Sequence, residues 1–253
     1  MLKEVLIERM TWTDVRDAMS AGKRTVIVPV AAMEQHGPHM AIGTDTYLGY
    51  EISVRLARAL GDALVAPAIG IGYSVGHLPM PGTVSISEET LATVIREVVD
   101  SLVSHGFADI VLLSSHGGNY GALNAAVPGL RETYPHIRIH SRTNFESGMR
   151  RRQALLQELA LDPARVGVHA GQGETSMMLA CHPDLVDMGR AVEGFTGDAS
   201  IRWRSKVPPP MTETSPTGIL GDARRSTAEL GERLLAHEVG EWVRALRAGE
   251  LLG

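Results

Sequence analysis

Short apolar runs alternate along this chain with longer segments in which apolar residues recur at helical spacing. Residues 24–30 read RTVIVPV, a continuous and mostly β-branched run of the kind found in strands buried on both faces. Comparable runs lie at residues 63–69, 109–115 and 137–141. We predict a strand at each of these positions.

The intervening segments predict helices. Residues 45–60 repeat leucine or isoleucine at helical spacing, and Ser87 opens an acidic, one-sided apolar pattern that ends at Gly106. Ser226 and Glu229 form a capping-box pattern for a last helix that runs to about residue 248. Helices are also predicted over 119–134 and 174–181, whereas 142–168 is irregular or helical, and 189–222, rich in Pro, Gly and Thr, is a long surface excursion, a lid or a subunit contact.

Strands and helices in alternation favour an α/β fold, with a mostly parallel sheet and helices on both of its faces. Sites in such sheets lie outside the carboxyl ends of the strands. Polar residues that directly follow a predicted strand are therefore the first candidates for chemistry.

Composition and charge exclude several classes of function. The chain has 253 residues, 44% hydrophobic and 21% charged, and a net charge of −5, so no basic surface for nucleic acid is expected. Arg150–Arg152 is the densest basic spot; a solvated helix face is expected there, with binding of an anionic ligand as the less favoured alternative. One cysteine allows no intramolecular disulfide. Without a signal peptide or an apolar stretch of about 20 residues, a cytoplasmic protein with no membrane contact is expected.

Residues 34–45, EQHGPHMAIGTD, place Glu34, His36, His39 and Asp45 directly after the first predicted strand. Because Glu34 and His36 are two positions apart, an extended backbone turns both side chains to the same face. Gly37 and Pro38 supply the residues of a turn between them and Asp45, which opens the next predicted helix.

Two further clusters extend this candidate ligand set. His116 follows the strand at 109–115, and Gly117 and Gly118 allow the backbone to approach its partner closely. Glu174 opens an apolar helix that we expect to dock on the sheet. A polar turn, or a phosphate-binding turn for HGGN, would explain one cluster alone but not three at strand or helix ends. The combined set has three carboxylates and two imidazoles: Glu34, His36, Asp45, His116 and Glu174.

Mixed nitrogen and oxygen ligands suit Zn²⁺ first, with Mn²⁺ or Fe²⁺ as alternatives. Five ligands exceed the need of one open zinc site and suit two divalent metal ions that share a bridging carboxylate. Such a pair of ions generates a nucleophile from water at neutral pH and polarises a carbonyl oxygen.

Five motifs in chain order resemble those of the creatininase family of metal-dependent amidohydrolases: EQHGPHMAIGTD (34–45), GYSVGH (72–77), LLSSHGGN (112–119), HAGQGETS (169–176) and SPTGILGD (215–222). The resemblance runs from about residue 25 to 230, so we expect one domain over 1–253. It implies a three-layer α/β/α fold, a two-metal centre and usually a homo-hexamer. It further implies that Glu34 and His116 bind one metal, His36 binds the other and Asp45 bridges them.

The chain departs from the family pattern at two positions. Members that hydrolyse creatinine carry a glutamate ligand two residues after the histidine that matches His116, and this chain has Gly118 there. They also carry a glutamate just before the match to His169, where this chain has Val168. We therefore assign the missing ligand to Glu174, as ligand or as base, and do not expect efficient turnover of creatinine.

The remaining candidates are a proton carrier and residues that contact substrate or support the ligands. His169 matches the family's proton donor and is expected to act as general acid and base. Asn119 would orient His116, donate to a developing oxyanion or cap the following helix. For His39 and His77 the alternative is an ordinary loop histidine. The supporting set comprises His39, Ser74, His77, Gly117, Gly118 and Asn119.

The favoured function is a two-metal hydrolase that cleaves an amide or amide-like C–N bond of a small polar substrate, such as a cyclic amide, a formamide or a short peptide-like molecule. A hydrolase of the same fold that opens a cyclic diketone by C–C cleavage is the main alternative. A non-catalytic binding protein with a structural metal is less favoured, since structural sites are closed and often rich in cysteine.

Overall fold

Four parallel strands form the centre of the fold, and their order places the first and third strands side by side. The computed structural model describes residues 4–198 and 207–249. The strands are β1 (Thr25–Val30), β2 (Ala63–Val65), β3 (Asp109–Ser114) and β4 (Arg138–Ser141), in the sheet order β2-β1-β3-β4. All pairs are parallel. The predicted α/β class is confirmed, and the described sheet is entirely parallel.

β2 is shorter than the predicted strand at 63–69 because Pro67 interrupts its ladder. A proline has no backbone N–H to donate. The chain rejoins β1 beyond it, where Val30 and Ile69 form an isolated bridge and Ala31 N donates to Ile69 O.

Helices cover both faces of the sheet. Their bounds are α1 Trp12–Ser20, α2 Thr44–Leu60, α3 Glu88–Ser104, α4 Tyr120–Thr133, α5 Phe145–Glu158, α6 Pro163–Val166, α7 Gln172–Cys181, α8 Met211–Thr214 and α9 Ala228–Arg247. Val26, Val28 and Val30 point to a core formed with α1, α3 and α4, whereas Ile27 points to a second core formed with α2 and α9. Side chains that alternate between two apolar cores explain the continuous β-branched run, and they confirm the three-layer α/β/α architecture.

Helix starts follow local signals, with two differences from the predictions. Ser87 accepts from Thr90 N and caps α3 as predicted. α9 is capped by Thr227, which accepts from Leu230 N. The predicted capping box at Ser226 and Glu229 is therefore wrong by one position. α1, which the predictions omit, opens with a capping box between Thr11 and Asp14.

The segment 189–222 is divided: residues 189–198 lie at the surface, as expected of an excursion, whereas residues 211–222 pack into the fold. Residues 199–206 lie outside the described residues. Met211, Ile219 and Leu220 are buried, and Leu220 pairs with His169 through backbone hydrogen bonds. This part of the chain therefore forms a wall of the site. Among the described residues, no helix is long and apolar enough to span a membrane.

The strand order places the polar loops. From β1 the chain moves to β2 on one side and then to β3 and β4 on the other. This reversal between β1 and β3 opens a crevice at their carboxyl ends. The loops after β1 and β3, which hold two of the candidate ligand clusters, start on either side of it.

Candidate metal centre

The loop after β1 buries two candidate ligands completely. Glu34 and His36 both have no exposed surface. Gly37 then turns the chain at φ 67°, and a Cβ there would lie 2.7 Å from Ile219 Cγ1. Only glycine fits this turn without displacing Ile219.

Asp45 connects the two sides of the centre. It lies in the first turn of α2, where a helix favours negative charge. Its Oδ1 is 3.4 Å from His36 Nε2, and its Oδ2 is 3.4 Å from His116 Nδ1. Each carboxylate oxygen therefore faces a different imidazole. The Oγ of Ser115 donates to the Asp45 carbonyl at 2.7 Å and ties the start of α2 to the end of β3.

Backbone carbonyls orient both imidazoles. His36 Nδ1 donates to Glu34 O at 3.1 Å, and His116 Nε2 donates to Tyr73 O at 3.0 Å. The opposite nitrogen of each ring is left facing the carboxylates, and His116 Nδ1 lies 3.3 Å from Glu34 Oε1. This arrangement is typical of metal-binding histidines, whose other N–H is held by a carbonyl or a carboxylate.

Glu174 reaches the centre from the first turn of α7. Its Oε2 accepts from Ala170 N at 2.6 Å and lies 3.7 Å from His36 Nε2. Ala170 has a φ of 52°, in the left-handed region that non-glycine residues rarely adopt. α7 packs mainly on α9 and α2 rather than directly on the sheet.

The unpaired polar atoms of this cluster fit metal ions. Both oxygens of Glu34, Nε2 of His36 and Oδ2 of Asp45 are buried without a hydrogen-bond partner in the described chain. Buried polar atoms are normally satisfied, so this convergent set of ligand atoms is suited to bind a cation. Two ligand groups share Asp45: Glu34, Asp45 and His116 form one, and His36, Asp45 and Glu174 form the other.

Burial and the closeness of charged neighbours shift the pKa values of the candidate ligands. Burial raises the pKa of Glu34 to about 7, and burial also raises the pKa of Glu174. Burial alone would lower the pKa of His36, but the charges of Asp45, Glu174 and Glu34 outweigh it and raise that pKa to about 10. All three shifts favour the protonated forms of these side chains.

A sequence model of the creatininase family, described as creatinine amidohydrolase, matches residues 8–246. The chain belongs to the creatininase family.

Individual relatives agree with this assignment. The chain is 34% identical to the mycofactocin precursor peptide peptidase of Mycolicibacterium smegmatis, covering 85% of this chain and 81% of the relative. It is 30% identical to the creatinine amidohydrolase of Pseudomonas putida, covering 93% of each. A solved structure titled "Creatininase Mn" superposes with a TM-score of 0.81 at 28% identity, covering 98% of this chain and 99% of that one.

The structure explains why this family member has glycine at position 118. A Cβ there would lie 2.3 Å from His116 Nε2 and 2.4 Å from Tyr73 O. Those two atoms form the hydrogen bond that orients His116. A side chain at this position would break that bond. Gly117, in contrast, has open space around it.

His169 lies beside the candidate ligands, close enough to exchange a proton at the centre or to serve as a ligand itself. Its Nδ1 is 3.4 Å from Glu34 Oε1, and its Nε2 donates to Gln35 O at 2.8 Å. Burial, and then the charges of nearby histidines, hold the pKa of His169 well below its usual value. The ring is therefore neutral and presents an unprotonated Nδ1 to the centre. Glu34, His36 and His169 also form a group that could hold a metal ion.

The loop that carries His169 takes its shape from Ala170 and Gly171. The residue with left-handed backbone is Ala170. Gly171 is extended, and a Cβ on it would lie 2.7 Å from Val166 O. Gly171 is therefore needed for close packing, and Gly173 lies within α7.

Gln35 is a site residue that the sequence interpretation missed. Its Nε2 lies 3.0 Å from His77 Nδ1, 2.9 Å from His169 Nε2 and 3.1 Å from Gly218 O. The signal was its position between Glu34 and His36, because alternation in an extended segment turns it away from them toward a second set of histidines.

Three predicted supporting residues lie around the ligands. Ser74 Oγ is 3.5 Å from His116 Nε2, and His77 Nδ1 is 3.8 Å from Glu34 Oε1. His39 is farther from the ligand groups: its Nε2 contacts Thr175 Oγ1 at 2.8 Å, which ties the turn after β1 to α7. Burial lowers the pKa of His39 to about 4, so this ring is neutral.

Asn119 has neither of two roles that its sequence position suggested. Its side chain makes no cap to α4. Its amide donates to Val30 O and Ala31 O, so its N–H groups are not available to an oxyanion. Its Oδ1 accepts from Tyr73 N at 3.0 Å, so it supports His116 only through Tyr73.

Two cavities meet at the centre. The smaller, of about 120 Å³, contains Glu34, Asp45, His77 and His169 in its wall. The larger, of about 370 Å³, extends between α5, α7 and α9. Ser115, His116, Gly117, Val168 and Glu174 border both.

The basic run is not the solvated helix face that we expected. Arg150 is exposed, but Arg151 and Arg152 are partly buried and border the larger cavity. The tertiary packing of α5 turns these two side chains inward.

Proposed function

We propose that the chain is a two-metal hydrolase that cleaves an amide or amide-like C–N bond of a small polar substrate. The observation that carries this proposal is the pair of ligand groups joined by Asp45, with one carboxylate oxygen facing each imidazole. In this assignment Glu34 and His116 would hold one ion, His36 and Glu174 would hold the other, and Asp45 would serve both. The names of the two curated relatives, an amidohydrolase and a peptidase, both denote hydrolysis of C–N bonds.

The bound ions would activate a water molecule at neutral pH and polarise the carbonyl oxygen of the substrate. The Nδ1 of His169 faces Glu34 and the centre, so it would accept a proton from the attacking water. It would then donate that proton to the leaving nitrogen. Gln35 holds His169 through its backbone carbonyl, and its side chain lies against the same ring nitrogen.

Zn²⁺ is our first choice of ion because nitrogen and oxygen ligands are mixed, and Mn²⁺ or Fe²⁺ would suit the same set. The similar solved structure is titled with Mn. We further propose a homo-oligomer, with six subunits expected from the family resemblance, which light scattering of the purified protein would test.

The deciding experiment combines metal analysis with a panel of small substrates. Protein loaded with Zn²⁺, Mn²⁺ or Fe²⁺ is assayed on cyclic amides, formamides, short peptides and a cyclic diketone. Hydrolysis of an amide that is lost with a chelator and restored by metal supports the proposal. Cleavage of the diketone alone would instead support a hydrolase that cleaves C–C bonds. Metal binding without turnover of any compound would indicate a binding protein.

Creatinine provides a specific test within this panel. We expect kcat/KM for creatinine to fall well below about 10⁴ M⁻¹s⁻¹, the lower end of the usual enzymatic range. The reason is that this chain has Gly118 where members that hydrolyse creatinine carry a glutamate ligand. A side chain at position 118 would also break the hydrogen bond between His116 and Tyr73. Efficient release of creatine would contradict this expectation.

A further inference from the structure

The larger cavity, of about 370 Å³, combines apolar walls with arginine side chains at the edge of the metal centre. The apolar part of its wall comes from Leu155, Val166, Met177, Leu234 and Trp242. This volume lies within the range of pockets that hold small ligands. The smaller cavity of about 120 Å³ holds little more than the reacting bond. The rest of a substrate therefore has room on the Glu174 side.

Arg142 is a buried cation in this wall. Its guanidinium carbon lies 4.2 Å from the centre of the Trp242 ring, and its Nη1 is 3.5 Å from Glu238 Oε1. The side chain is 10% exposed, and its Nε has no hydrogen-bond partner in the described chain. A buried guanidinium with an unmet donor favours a negatively charged ligand.

Arg151 and Arg152 add positive charge without a carboxylate partner among the described residues. Arg151 donates to Ser147 Oγ at 2.7 Å, and Arg152 donates to the carbonyl of Gly167. Burial lowers the pKa of Arg152, although an arginine remains charged at neutral pH.

The acidic side chains of the cavity are already engaged. Glu238 contacts Arg142, Glu241 contacts Arg244, and Glu174 faces His36. Among its described residues, the wall therefore holds three arginines and three glutamates, but Arg151 and Arg152 form no ion pair with these glutamates. An anion bound here would be attracted both by the arginines and by metal ions at the shared edge.

We propose that the larger cavity binds a carboxylate group of the substrate against Arg151, with an apolar side chain of the substrate against α7 and α9. This proposal rests on the proposed amide hydrolysis and names its substrate class: amides of the N-acyl amino acid or short-peptide type, whose free carboxylate lies a few bonds from the scissile C–N bond. The planar guanidinium suits bidentate binding of a carboxylate.

Direct binding of a matched pair of compounds tests this proposal. N-acetyl-L-leucine and N-acetyl-L-leucinamide differ only in the carboxylate. Their dissociation constants are measured by calorimetry on zinc-loaded protein, for the wild type, Arg151→Gln and Arg150→Gln. Arg150 is the control because it is adjacent on α5, carries the same charge and is exposed outside the cavity.

We expect the wild type and Arg150→Gln to prefer the carboxylate by about tenfold or more, the worth of one charge-assisted hydrogen bond. Arg151→Gln should lose that preference while its affinity for the neutral amide is unchanged. Arg151→Lys should keep part of it, since the charge remains.

Equal affinity of the wild type for both compounds would overturn the proposal. So would a preference that is the same in all variants, since the carboxylate would then bind the metal ions or another site. Hydrolysis of the two compounds is scored separately. If the carboxylate preference depends on Arg151 but neither compound is hydrolysed, the anion site is supported and the proposed amide hydrolysis is contradicted. If a compound is hydrolysed but the preference is absent, amide hydrolysis is supported and the anion site is contradicted.

Discussion

The two ligand groups that share Asp45 are held in different ways. Glu34 and His116 extend from the ends of neighbouring strands, and their side chains are 0% and 11% exposed. Glu174, in the other group, is 24% exposed and depends on a hydrogen bond from Ala170, a residue in left-handed backbone. The first group therefore lies in loops that directly follow β1 and β3, whereas the second also depends on the loop before α7.

This difference bears on metal affinity and on access. A preorganised group at a rigid edge needs no rearrangement to bind an ion, whereas a group that depends on a loop must keep that loop in place. Glu174 also borders the larger cavity, where we place the bulk of the substrate. We expect the ion held by Glu34 and His116 to bind more tightly than the ion held by His36 and Glu174.

The largest expected effect comes from the residue common to both groups. Asp45→Ala should remove most of both ions and abolish activity, because each oxygen of this carboxylate faces a different imidazole. Metal content is measured by mass spectrometry of the purified variant. Asp17→Ala, at an exposed position on α1, is the control and should keep full metal. A folded Asp45→Ala protein with full metal content would contradict the proposal that Asp45 serves both ions.

His169 tests whether there are two ligand groups or three. If His169 is a proton carrier, His169→Gln should lower the rate of hydrolysis by about 10²–10⁴ and leave metal content unchanged. The loss should shrink for substrates with good leaving groups, which need less help from a proton. Rate is measured on two amides that differ only in the basicity of the leaving nitrogen. Loss of an ion from His169→Gln would instead make His169 a ligand and would end the simple two-group comparison.

Removing one ligand from each group should separate the two ions. His116→Ala is expected to lose the tighter ion, and Glu174→Gln the weaker one. Competition with a chelator should show two affinities in the wild type and only the tighter one in Glu174→Gln. Loss of both ions from Glu174→Gln would show that the groups do not bind independently.

The metal-free protein should lose stability as the pH rises. Folding raises the pKa of Glu34 to about 7 and that of His36 to about 10, so the folded state holds protons that the unfolded state has already released. Below about pH 7 the lowered pKa values of His39 and His169 offset the raised pKa values of Glu34 and Glu174. Stability therefore falls from about pH 7 toward about pH 10, where the folded state keeps the proton of His36 that the unfolded state has released. Thermal unfolding of chelator-treated protein measures this slope. His36→Gln should flatten its upper part, and a steep rise of stability with pH would contradict the assignment.

The smallest effect concerns the loop behind Glu174. Ala170→Gly relieves left-handed backbone that costs roughly 1–2 kcal/mol in a non-glycine residue, but adds roughly 0.5–1 kcal/mol of chain entropy. Unfolding free energy should therefore change by about 1 kcal/mol or less, while the weaker ion loses affinity because Ala170 N is less firmly held. Ala160→Gly is the matched control, with the same φ of 52° in a loop that holds no candidate ligand. If the two variants bind metal alike, the loop does not govern the second group.

Much of this protein could be predicted from local pattern. Continuous β-branched runs placed the strands, because strands covered on both faces need apolar side chains on both sides. Parallel strands put Glu34, His36 and His116 at one edge, because the carboxyl ends of such strands meet there. The Ser87 cap was also predictable, since a cap is satisfied within a single turn.

Only the tertiary structure decided which side chains meet across long separations. Gln35 contacts His169 from 134 residues away, and no periodicity encodes such a pair. Asn119 was expected to orient His116, to donate to an oxyanion or to cap a helix, yet its amide donates to the carbonyls at the end of β1. The basic run at Arg151 and Arg152 resembles any solvated helix face until α7 and α9 enclose it. Local sequence specifies each element and its apolar face, whereas the contacts between elements depend on how those faces pack together.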